Sequence, residues 1–147
     1  MRGERGVAGP FEDIHVLILV VLGMGIFLAS SSAAYLAYVG FNESVRLQRD
    51  ATDALQRILA YEPALHDGVR GLFAVDRLGA LNETSVSALV GDYGFRLLLT
   101  DGRGSAWLDA ASGRPAASTR VALTSVDVWT ADTNVWPARL SLTLWRT

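Results

Sequence analysis

Few residues of this chain have the types and spacing that chemistry needs. The histidines are His15, at the edge of an apolar run, and His66, in an expected loop. Asp101, Asp109 and Asp132 fall at the ends of expected strands, where turn acids are ordinary. A catalytic constellation needs a nucleophile, a base and an orienting group within reach of one another. No HExxH, GxSxG, phosphate-loop or GxGxxG pattern supplies one. The chain has no Cys, which excludes disulfides, thiolate metal sites and a thiol nucleophile. The segment DGRGS at 101–105 has one carboxylate, whereas a calcium loop needs several converging oxygens. The expectation is a chain with no catalytic residues, no metal and no cofactor. Two N-x-S/T triplets, at Asn42 and Asn82, are glycosylation acceptors if that part lies outside the cell. Asn82 also suits a helix cap. Trp107, Trp129, Trp136 and Trp145 lie in or beside expected strands and read as core or rim packing rather than ligand stacking.

The elements that would position these residues follow from charge and periodicity. Thirteen basic residues, all Arg, and 15 acids leave a net charge of −2. That balance argues against a nucleic-acid partner, which requires a concentrated basic face. Residues 14–42 contain no Asp, Glu, Lys or Arg. A membrane-crossing helix needs about 20 mostly apolar residues, so the stretch 14–41 is long enough. A cleaved signal peptide with its cut near Ser31-Ser32-Ala33 is the first competing reading. Glu12 and Asp13 precede the apolar run where positive charge is wanted, and apolar residues continue to Phe41. A buried core helix is the second, but too little chain remains to cover a helix apolar on all sides. A retained single-pass helix is favoured, with Phe11 at one end and Tyr35, Tyr38 and Phe41 at the other as interfacial anchors. Arginines flank it on both sides, so the positive-inside rule gives no orientation. Gly25, Ala29, Ala33 and Ala37 recur every four residues as a small-residue ridge, a form that lets helix backbones approach closely.

The helical pattern continues past the apolar run. Leu47, Ala51, Leu55, Ile58 and Leu59 share one face, and neither Pro nor Gly intervenes between Asn42 and Pro63. The expected object is one helix over residues 12–61, about 75 Å long at 1.5 Å per residue, with a hinge possible at Gly40 and Asn42. Residues 62–92 read as loop and short helical turns, one capped by Asp76 and one by Asn82 or Thr84, the second closed by Gly91. The period then changes to two. Tyr93, Phe95, Leu97 and Leu99 alternate, and Asp101-Gly102 signals a hairpin with its return at 105–109. A third strand over 120–129 has Val121 and Leu123 out of step with Val126 and Val128, which predicts a bulge near Thr124 and Ser125. A turn at 132–134 leads to a last strand over 138–145. The fold class is α+β, with a long N-terminal helix on an antiparallel meander of about four strands. The Leu47–Leu59 face is the stripe that must dock on the sheet.

The N-terminus, MRGERGVAGPF, is a short charged leader ending in Arg5-Gly6, followed by Val7 and soon by the apolar helix. This resembles the class III signal peptide of archaeal type IV pilin-like proteins. The segments at 47–59, 71–81 and 138–145 resemble uncharacterised haloarchaeal pilin-like membrane proteins. The resemblance implies cleavage by a prepilin peptidase between Gly6 and Val7. It divides the chain into a leader (1–6), a long helix (7–61) and a head (62–147). It implies a cytoplasmic N-terminus, an extracytoplasmic head and assembly into a cell-surface filament through the helix. Other pilin-like subunits, an assembly ATPase and a platform protein would be the partners. Phe11 departs from the pattern, standing where many pilins carry an acid; Glu12 and Asp13 follow it. The alternative is a single-pass protein that never polymerises and whose small outer domain binds a ligand or partner.

Overall fold

The computed structural model describes residues 9–116 and 118–147, with side chains from residue 14 onward. The chain divides into two compact units between Asn42 and Glu43. One helix, α1 (Gly9–Leu59), supplies all the described residues of the first unit and continues into the second without a break at Gly40. It ends at Leu59, ahead of Pro63. There Ala60 and Tyr61 donate their N–H groups to the carbonyls of Arg57 and Ile58 at 3.2 and 3.1 Å. Those i→i+3 bonds tighten the last turn and satisfy carbonyls that a helix end otherwise leaves open.

The two units use the helix differently. In the first, the most apolar 18-residue stretch has a mean hydropathy of 2.3 and none of it is buried. The helix is long and apolar enough to cross a membrane. In the second unit Leu47, Ala51, Ala54, Leu55, Ile58 and Leu59 are all buried. Their 3/4 spacing puts them on one stripe, as an amphipathic helix over a sheet requires.

Five strands make one mixed sheet: β1 (Leu72–Ala74), β2 (Tyr93–Asp101), β3 (Ala106–Ser112), β4 (Thr119–Trp129) and β5 (Val135–Arg146). The spatial order is β1-β4-β5-β2-β3. This corrects the expected meander. β3 and β4 follow each other in sequence but do not pair; β5 inserts between β4 and β2 and joins two hairpins into one sheet. The short strand β1 was not expected at all. It runs parallel to β4, which makes the sheet mixed. A three-residue strand carries too little alternation to announce itself.

The 3-10 turn Val75–Ala80 follows β1, and helix α2 (Glu83–Val90) follows that. Asp76 does not cap: the residue at the cap is Ala74, with no side-chain bond. Asn82 does cap α2, its side chain accepting the Ser85 N–H at 2.9 Å. Gly91 closes α2 with φ 82°, the left-handed region that favours glycine.

The core is one cluster. Phe95, Leu97 and Leu99 of β2 and Leu140, Leu142 and Leu144 of β5 are buried with Ala122, Val126 and Val128 of β4 and with the α1 stripe. No bulge interrupts β4: its register with β5 is continuous from Thr119 to Trp129. Val121 and Leu123 are out of step because they lie on the opposite face, 45% and 60% exposed. The irregular register lies instead between β2 and β3. Leu99 pairs with Leu108 and Thr100 with Ala106, leaving Trp107 as the extra residue.

Candidate functional site

The residues singled out in the sequence are dispersed. Arg5, Gly6 and Val7 lie outside the described residues. Gly25, Ala29, Ala33 and Ala37 are exposed, and a Cβ built on Gly25 meets nothing within 4 Å. The ridge is therefore open to any neighbour. Asn42 is exposed, and Asn82 is exposed while serving as the α2 cap. Leu47, Ala51, Leu55, Ile58 and Leu59 form the helix stripe under the sheet. Among the described residues no three His, Asp or Glu side chains are grouped as a metal would need.

His66 stacks on Trp129, ring centroids 4.0 Å apart and planes 12° from parallel, with Asp67 at 3.4 Å. The stack fixes the chain between the first 3-10 turn (Glu62–Ala64) and β1. Arg96 holds Asp109 across the β2–β3 pair with two hydrogen bonds, 3.0 and 2.7 Å. That fork keeps the Asp109 carboxyl below its ordinary range and pushes the guanidinium up. The Tyr93 hydroxyl donates to Asp50 of α1 at 2.6 Å, and this bond, with partial desolvation, raises the phenol. Arg146 pairs with Glu43 at 3.1 Å. Tyr93 and Arg146 are directly paired in the sheet, so the chain enters the second unit at this end of β2 and β5.

The opposite end of those strands is built differently. β2 stops at Asp101, opposite Ala138, whereas β5 begins at Val135. Val135, Trp136 and Pro137 therefore have β4 on one side and no strand on the other. Pro137 is tolerated where β2 has ended, because no ladder bond is wanted on that side. Asp101 fixes the adjoining turn: its Oδ1 accepts the N–H groups of Arg103 and Ser105, both at 2.8 Å, and Gly104 supplies φ 86°. The hollow left by the missing strand, about 440 Å³, is lined by Asp101, Gly102, Arg103, Trp107, Trp136 and Pro137. A second hollow of about 370 Å³ shares Asp101, Gly102 and Pro137 and reaches Arg139 and Ser125. A third of about 430 Å³ shares Trp107 and reaches Leu78 and Thr130.

Trp107 and Trp136 thus both line a cavity at the rim. Trp136 is 50% exposed, and Trp107 packs partly on the core. Of the four tryptophans only Trp145 is fully buried. The signal for this site was present in the sequence as Trp136-Pro137, an aromatic beside the residue that a strand accepts only where pairing lapses. The Trp107 contribution had no such signal, since it comes from the β2–β3 bulge.

No family model, curated protein or solved structure matches this chain.

Proposed function

We propose that this chain is a structural subunit, major or minor, of a surface filament of the archaeal type IV pilus kind, assembling through its N-terminal helix. One observation carries the reading. A single helix of 51 residues is exposed and charge-free over residues 14–42, and a stripe of its last third is the core of a separate sheet-bearing unit. An anchor alone requires only about 20 residues and no continuity with a folded core. A subunit that must leave lipid and pack among its own kind needs an apolar helix rooted in its head. The apolar surface serves twice, against acyl chains before assembly and against neighbouring helices after it. The ridge Gly25, Ala29, Ala33 and Ala37 provides close approach in the second setting. The activity is assembly, with no turnover. A prepilin peptidase, an assembly ATPase and a platform protein act on the chain in this reading, with the head outside the cell.

Mass spectrometry of the protein purified from membranes and from sheared surface filaments tests it. The expected species lacks residues 1–6 and begins at Val7. An intact Met1 end in both fractions, or absence from the filament fraction, overturns the proposal in favour of a single-pass protein that stays in the membrane. Gly25→Leu combined with Ala29→Leu is expected to abolish incorporation while leaving the protein in the membrane.

A further inference from the structure

We propose that the rim hollow between Trp107 and Trp136 is a saccharide-binding site. The chemistry of its lining points to a sugar. Two indoles and Pro137 supply apolar walls, while Asp101 and Arg103 supply a carboxylate and a guanidinium in the same cavity. Pyranose rings present C–H faces that lie against aromatic planes and a periphery of hydroxyls that both donate and accept. Pockets of mixed lining, mostly apolar with a few placed polar groups, are the usual form of small-molecule sites. Two further hollows adjoin it, one sharing Asp101, Gly102 and Pro137 and the other sharing Trp107.

Charge decides against the other ligand that tryptophan cavities take. A quaternary ammonium wants aromatic faces and an excess of negative charge. Here Arg103 balances the one acid, Asp101, which already accepts two backbone N–H groups, so there is no excess of negative charge. The site is also preorganised. Asp101 is held by its own turn and Trp107 by packing on the core, so little ordering is needed on binding. Its place is the end of β2 and β5 away from Glu43, where the chain enters this unit. The inference stands on the second unit alone and does not require that the chain form filaments.

The test uses the full chain in lipid nanodiscs, which avoids sugar-headed detergents. Chitopentaose, maltopentaose and tri-galacturonic acid are titrated against intrinsic tryptophan fluorescence and by calorimetry, with tetramethylammonium as the competing chemistry. Saturable binding of at least one oligosaccharide is expected. Trp136→Ala is expected to weaken it about tenfold, the loss of one good stacking contact. Trp136→Phe is expected to retain most of it. Trp136 is half exposed, and an unchanged thermal midpoint shows that the variants remain folded. No saturable response to any of the three oligosaccharides overturns the proposal. So does saturation by tetramethylammonium in their place, or equal binding by Trp136→Ala.

Discussion

Gly94 and Trp145 sit directly across from each other on β2 and β5, and the pair explains two unusual residues at once. Leu144 and Trp145 are adjacent and both buried, so they lie on opposite faces of the strand. Leu144 belongs to the core, while the Trp145 indole lies over Gly94, where any Cβ would overlap its ring. Gly94→Ala is therefore expected to destabilise the second unit by about 1–3 kcal/mol, the usual cost of overpacking, read by denaturant unfolding. The indole Nε1 is buried without a hydrogen-bond partner among the described residues, so no polar bond offsets the strain of moving it. The Arg96–Asp109 fork gives a second residue-scale expectation. Asp109 has a folded pKa below its unfolded one, so its contribution is complete above the ordinary carboxylate range and fades as pH falls through and below it. The stability difference between wild type and Asp109→Asn should accordingly shrink as thermal melts are taken from about pH 5 to about pH 2.

At the scale of elements, α1 carries the sheet-bearing unit. Ile58 is fully buried in the stripe. Ile58→Ala is expected to cost about 2–5 kcal/mol in unfolding of that unit, through lost burial and the cavity left behind. Glu62→Ala, exposed just beyond the helix, serves as the near-neutral control. The helix stripe was legible in the sequence because apolar residues repeating at a 3.6-residue period over Leu47–Leu59 mark a helix with one buried face. The Tyr93–Leu99 alternation was legible in the same way at period two. What escaped were features set by partners distant in sequence. Val121 and Leu123 look like a register slip when β4 is read alone, yet the pairing with β5 is regular and the two side chains are simply on the outer face. Trp107 looks like one more alternating residue, yet the β2–β3 ladder skips it. Bulges are decided between strands, and a single strand does not contain that information.

At the scale of the molecule, the candidate site was the least legible part. The sequence separates an apolar, charge-free stretch over 14–42 from a mixed remainder, and the structure divides at the end of that stretch, between Asn42 and Glu43. Composition suffices for that division because a 29-residue charge-free run stands out from the mixed sequence after it. The rim cavity depends on where β2 ends relative to β5, a difference in strand length that appears only once the two are side by side. Of the four tryptophans Trp145 is buried while Trp136 is half exposed at the rim, a difference that residue type alone does not announce.

The strand order also has a consequence for synthesis. β5 is the last of the five described strands in sequence order, and among them it alone touches both β4 and β2. Without it, the β2–β3 pair and the β1–β4 pair have no strand to join them over the apolar side of α1. Closure of the sheet therefore waits until translation has passed Val135. A chain that stalls earlier displays open strand edges and bare leucines, a form that quality-control proteases recognise. The topology makes the one sheet depend on its last strand in sequence order.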